Sequence, residues 1–194
     1  MKKAFLLVVA CVFAFVSAQA QSSEVEAVSQ TTKTEQFKTN CTFLKETLIS
    51  EFKEAGVKVL TILYTNLKTG EQLVGLEFTS TLIGGGAHLG YLDADQVNDF
   101  VLALETIVAE TKNTDSKVQC AISYTAPGGI DVHSYSLNGV QMVSFRKKWY
   151  SVNDFGVLQY TYTENPPFMG VNKLSKLIST IKESQTIAEQ YLNK

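Results

Sequence analysis

Histidine is nearly absent from this 194-residue chain, which has only His88 and His133, and cysteine is scarce, with three residues. So few ligand side chains leave no zinc-finger or haem-attachment spacing. No G-x-S-x-G elbow and no G-K-[ST] phosphate loop occurs either. Positive charge is not concentrated. The densest basic run, Arg146-Lys147-Lys148, is three residues long and reads as a solvated strand end, so neither nucleic acid nor an anionic membrane is the expected partner. No cofactor is implied.

The first residues carry the clearest local pattern. Lys2 and Lys3 precede an apolar run from Ala4 to Val16, and Ser17-Ala18-Gln19-Ala20 places small residues where a signal peptidase reads. The run falls short of the roughly 20 apolar residues that a membrane span needs. Residues 1–20 are therefore expected to be a cleaved signal peptide, with export to the periplasm or beyond and no transmembrane segment in the mature chain. Val8-Val9-Ala10-Cys11 loosely resembles a lipobox, but lipidation at Cys11 would leave Val12 to Val16 as an exposed apolar stretch, and it is disfavoured.

Cleavage before Gln21 would leave 174 residues, enough for one ordinary domain. It would also move the net charge from −2 to −4, because the leader contains two lysines and no acid. Cys41 and Cys120 then remain. An even count in an oxidising compartment allows one disulfide, and two buried thiols are the alternative.

Gln21 to Thr34 is rich in Ser, Thr, Gln and Glu and reads as a flexible tether before a domain at 35–194. Phe37, Cys41, Leu44, Leu48 and Phe52 fit a helical stripe stopped by Gly56. A strand over Thr47 to Glu54 is the alternative, since Leu48, Ser50 and Phe52 alternate. Val57 to Tyr64 and a return through Val74, Leu76 and Phe78 form a hairpin around Lys68-Thr69-Gly70-Glu71. Gly84-Gly85-Gly86 reads as a loop, because His88 to Leu92 separates it from the next helix. Asp93 and Gln96 form a capping box ahead of Val97, Phe100, Val101, Leu104, Ile107 and Val108, which share one helical face.

A similar order follows. Val118 to Tyr124 alternates, Pro127-Gly128-Gly129 turns, Ile130 to Leu137 returns, and Asn138-Gly139 signals a tight hairpin into Val140 to Phe145. Strands around Trp149 to Val152 and Val157 to Thr163 precede Pro166-Pro167, which should end the sheet. A terminal helix then runs from about Asn172 to Leu192. Ile62-Leu63-Tyr64-Thr65 and Ile122-Ser123-Tyr124-Thr125 share three identities, which raises the idea of two strand-hairpin-helix halves. Hairpins followed by helices imply an α+β fold: an antiparallel sheet of about six to eight strands with two or three helices on one face.

Candidate chemistry is sparse. Asp131, His133 and Tyr135 fall on one face of a strand, and an Asp that orients a His can make a general base. The same trio is most simply the solvated side of a half-buried strand, with Ile130 and Val132 on the opposite face. Asp93 and Asp95 near His88 suggest metal ligands less than helix capping, because no calcium-loop glycine follows. Trp149, Tyr150, Tyr160 and Tyr162 are candidates for a sugar or peptide platform, or for strand packing. The expected function is a non-enzymatic binding or interaction module for an unknown small ligand or protein partner. Alternatives are an extracytoplasmic hydrolase using Asp131 and His133, and a structural subunit of an envelope assembly.

Overall fold

The computed structural model describes residues 31–192, apart from 82–85, 116, 138, 153–157 and 163–165. The signal-peptide segment, Cys11 and residues 21–30 of the expected tether lie outside the described residues, as do Gly84 and Gly85.

The architecture is α+β. Helix α1 (Lys33–Asn40) comes first, followed by β1 (Leu44–Glu54), β2 (Val57–Asn66), β3 (Gln72–Ser80) and β4 (His88–Asp93). A 3-10 turn at Ala94–Gln96 leads into α2 (Val97–Asn113). Then come β5 (Cys120–Thr125), β6 (Ile130–Leu137), β7 (Val140–Val152), β8 (Leu158–Tyr162), β9 (Phe168–Gly170) and α3 (Val171–Leu192). The strands divide into two antiparallel sheets, ordered β1-β2-β3-β4 and β5-β6-β7-β8, with β9 also paired to β7. β7 is long enough to hold β6 along one edge while β9 and β8 take successive stretches of the other.

The alternation of each strand explains its burial. Val57 and Val59 in β2, Val74, Leu76 and Phe78 in β3, and Val132, Val143 and Phe145 in the second sheet point into one core. Helix α2 adds Val97, Phe100, Val101, Leu104 and Ile107, and α3 adds Leu174, Leu177, Ile178, Ile181 and Ala188. Each fully buried Leu, Ile or Phe contributes on the order of 2 kcal/mol. The helical period in both segments and the strand period elsewhere thus converge on one face, and α2 and α3 pack there together.

Helix α1 sits on the opposite face of the first sheet. Gly75 lies between the core residues Val74 and Leu76, so it faces away from them, and a Cβ there would fall 2.4 Å from Thr34 Oγ1. α1 is polar and buries only Thr34 within its span. Side-chain bonds therefore hold it in place. Thr32 caps it in a box with Glu35, and Asp93 accepts from the Lys33 amide (2.7 Å), the Thr34 amide (3.0 Å) and Thr34 Oγ1 (2.8 Å). Thr32 and Thr34 are fully buried, so the last residues of the stretch that composition marked as tether are part of the fold. Low hydrophobicity predicts disorder only when no polar partner is waiting, and here Asp93 is one.

The helical stripe expected from Phe37 to Phe52 is not formed. The helix stops at Asn40, and Leu44–Glu54 is a strand paired with β2, the alternative that Leu48, Ser50 and Phe52 offered, although a bulge at Ile49 puts Leu48 on the opposite face from Ser50 and Phe52. Gly56 does not end a helix. With Ala55 (φ 50°) and Gly56 (φ 85°) it forms the two-residue hairpin turn between β1 and β2. His88 to Leu92, which separates the glycine run from the next helix, belongs to β4. Pro166-Pro167 does not end the second sheet, since β9 follows and pairs with β7. The matched tetrapeptides occupy β2, the second strand of one sheet, and β5, the first strand of the other. They are not equivalent positions, although each half runs strands and then a helix, four strands in the first and five in the second among the described residues.

Candidate functional site

Asp131, His133 and Tyr135 share the face of β6 that points away from the core, because Val132 and Ser134 between them are buried against the helices. Facing them are Thr125 and Ser123 on β5, and Arg146, Ser144 and Met142 on β7. Asp131 is only 2% exposed. Its Oδ1 accepts from Thr125 Oγ1 at 2.8 Å, and its Oδ2 accepts from Arg146 Nε at 3.0 Å and Nη2 at 2.6 Å. Both carboxylate oxygens are thus taken by the flanking strands. These are charge-assisted bonds across three strands, and they make Asp131 a clamp at one end of the sheet.

The clamp corrects the dyad reading. Asp131 is neither solvated nor spent on orienting His133. The register places its side chain opposite Thr125 and Arg146, and His133 opposite Ser123 and Ser144. Ser144 Oγ donates to the His133 carbonyl at 3.3 Å. Burial, followed by the nearby Arg146 guanidinium, holds the His133 imidazole below the ordinary histidine pKa, against an opposing pull from Asp131. The His133 ring centroid lies 6.1 Å from that of Tyr135, which meets Phe168 of β9 edge-on at 6.4 Å. Phe168 is 50% exposed. The result is a row of three rings on the sheet face that points away from the core, one residue of which follows Pro166-Pro167.

The four other aromatic candidates lie further along the same strands. Tyr150 pairs with Tyr160, Lys148 with Tyr162, and Trp149 with Thr161. The side chains of these four lie outside the described residues.

A second polar cluster, which no sequence pattern pointed to, lies under α1. Lys38 Nζ sits 5.1 Å from the ring centre of Tyr64 and 5.0 Å from that of Tyr91, and pairs with Glu46 at 2.7 Å. Burial opposes the charge on Lys38, but bonds to Glu46 and Tyr91 outweigh it and raise its pKa. Beside it, His88 Nδ1 meets Glu77 at 3.1 Å and its ring packs on Tyr91 at 4.5 Å. Burial alone would raise the Glu77 pKa, yet His88 and Lys38 bring it below the usual carboxylate range. Tyr64 is fully buried, and its hydroxyl has no hydrogen-bond partner among the described residues. These groups come from α1, β1, β2, β3 and β4, separated by tens of residues, so only the register unites them.

The three residues considered as metal ligands are dispersed by separate partners. His88 goes to Glu77, Asp93 to the first turn of α1, and Asp95 to Lys33. Gln96 returns to the Asp93 amide at 3.1 Å, as the capping pattern anticipated. Among the described residues no three His, Cys, Asp or Glu converge on a metal position. Cys41 and Cys120 are free thiols, so the single bond that their number allowed is not formed. Cys41 ends α1 beside the first sheet. Cys120 opens β5 opposite Ser136, at the end of the second sheet remote from the Asp131 clamp. The basic run is not a solvated strand end: Arg146 holds Asp131, and Lys147 is 9% exposed, bonding Glu35 at 3.2 Å and the Gly128 carbonyl at 3.0 Å. Among the described residues no helix is long and apolar enough to cross a membrane.

Compared with known families and curated proteins, the chain matches no family model and no curated sequence.

Proposed function

We propose that this chain is exported and acts as a non-enzymatic binding module, with the outer face of the second sheet as its contact surface. The observation that carries this reading is the row His133–Tyr135–Phe168, lying on the face that α2 and α3 leave uncovered. Aromatic rings with polar tips suit a flat apolar partner edged by hydroxyls or amides, such as a pyranose ring or an aromatic side chain. A hydrolase built on Asp131 and His133 has less support, because both Asp131 oxygens are already bound by Thr125 and Arg146. Export rests on the Lys2-Lys3, apolar and Ala18-Gln19-Ala20 pattern.

Two measurements test the proposal. The intact mass of the protein recovered outside the cytoplasm should correspond to a chain beginning at Gln21, and retention of residues 1–20 would overturn export. NMR titration with cellotetraose and with a short tryptophan-bearing peptide should shift the resonances of His133, Tyr135 and Phe168 with at least one probe. The shifts should vanish in Tyr135→Ala/Phe168→Ala. Silence from both probes at millimolar concentration, or shifts confined to another face, would overturn the binding surface.

A further inference from the structure

The free edge of the first sheet is β1. It pairs with β2 on one side, and the sheet ends there among the described residues. It is an 11-residue strand with most of its positions exposed, including Leu48 at 55%. Phe43 (62%) and Leu67 (61%) are exposed beside its start. A long open edge invites pairing unless something prevents it. The charges on β1 could be such a deterrent, and their order decides otherwise.

The strand reads Leu44-Lys45-Glu46-Thr47-Leu48-Ile49-Ser50-Glu51-Phe52-Lys53-Glu54. Two copies laid antiparallel about a two-fold axis between Ile49 and Ser50 place Lys45 opposite Glu54 and Glu46 opposite Lys53. Thr47 then meets Phe52, and Leu48 meets Glu51. The dyad doubles each contact, so four opposite-charge pairs form and no two like charges face each other. Only this register gives the strand's outer four charges complementary partners.

A regular strand could not use that register. Facing residues must lie on the same side of the sheet, and these partners are odd with even, which alternation puts on opposite sides. The bulge removes the conflict. The pairing with β2 slips between Leu48 and Ser50, leaving Ile49 as the extra residue. Leu48 stands opposite Ile62, on the α1 side, and Ser50 opposite Thr61, on the core side, where their hydroxyls bond at 2.9 Å. Glu46 and Leu48 therefore share the outer side with Glu51 and Lys53, while Lys45 and Thr47 share the core side with Phe52 and Glu54. All four pairs match in face. Charge order and bulge position are separate features of the strand, and both fit one dyad.

We infer that β1 is a homodimerisation edge, which joins a second copy of this chain across a two-fold axis into a continuous eight-stranded sheet. The interface is isologous, and its main-chain bonds are those of strand addition. Within one chain Glu46 pairs with Lys38, Lys53 with Glu51 at 3.0 Å and the largely buried Glu54 with Lys176 at 2.8 Å, and the partner strand adds to these pairs. This dimer is independent of the ring-lined face on the second sheet.

Sedimentation equilibrium on protein expressed from the full-length sequence tests the inference. The wild type should dimerise reversibly with a dissociation constant on the order of 100 µM. Glu46→Lys and Lys53→Glu should each weaken it by about tenfold, because each puts like charges opposite one another twice. Mixing the two variants should restore association, as should combining both changes in one chain, since each restores opposite charges. That recovery separates the dimer from any loss of the Glu46–Lys38 contact, which mixing cannot repair. A monomer at every concentration up to about ten times that constant would overturn the inference. So would a dimer indifferent to both single changes, or single-variant losses that neither the mixture nor the double swap recovers.

Discussion

Replacing Tyr64 by Phe should make this protein more stable, which is an unusual direction for a change at a fully buried side chain. The Tyr64 ring lies beneath Lys38 with its hydroxyl buried and without a partner among the described residues. Removing a polar group from water with no compensating bond costs about 1–3 kcal/mol. Phe keeps the ring volume and the face presented to Lys38, so the gain should be about 1 kcal/mol. For a fold of this size that corresponds to a rise of roughly 3 °C in Tm. Urea unfolding followed by circular dichroism should show a higher midpoint at unchanged slope. Alkaline titration gives a second readout. Burial, then the negative charge of Glu77 and the neighbouring Tyr91 and Glu46, push the Tyr64 phenol far above its usual value. A group whose pKa is raised by folding stabilises fully below its unfolded value and loses that contribution as pH rises beyond it, here above about pH 10. Tyr64→Phe should therefore flatten the stability loss above that pH. A urea midpoint lowered by an equivalent amount would refute the reasoning, because it would mean that the hydroxyl is satisfied in the folded state.

Further expectations follow from the two polar clusters. Asp131→Ala leaves the Arg146 guanidinium without its carboxylate and should cost about 2–3 kcal/mol in urea unfolding, below the full cost of a deeply buried pair because Arg146 is 21% exposed. A loss under about 0.5 kcal/mol would deny the clamp. Asp93→Ala removes the acceptor for three donors of α1 and should release that helix, making the chain near Lys33 and Lys38 cleavable by trypsin while the core stays folded. Unchanged resistance would show that Asp93 does not hold it. His133 has a pKa lowered by folding, so its contribution is present above the ordinary histidine value near 6.5 and is lost as pH falls below it. His133→Gln should lose less stability than the wild type between pH 7 and 5, and parallel curves would rule out that linkage.

Much of the secondary structure was legible because it rests on periodicity. Val97 to Val108 repeats at helical spacing, and Ile130 to Leu137 alternates, so each element formed as expected. Leu44 to Glu54 was ambiguous, since Leu48 and Phe52 satisfy both periods. Pairing with β2 resolved it, which is a tertiary preference that propensity does not encode. Thr32 to Thr34 reads as tether because its few apolar groups cannot order it, and its partner Asp93 lies about 60 residues away.

The candidate site divides in the same way. Alternation alone put Asp131, His133 and Tyr135 on one face, since side-chain direction in a strand has period two. What Asp131 does there depended on Thr125 and Arg146, which local sequence cannot bring alongside because cross-strand register is set by the core and the turns. Phe168 joined the rings through the β9–β7 pairing, and Lys38, Tyr64 and Tyr91 met only when α1 folded onto Gly75. Sequence by itself determined the α+β class, the core-facing stripes and the expectation of export, because each follows from local spacing. Tertiary structure alone decided that the strands form two sheets, that Cys41 and Cys120 stay unbonded, and which charges meet, because these depend on contacts between residues far apart in the chain.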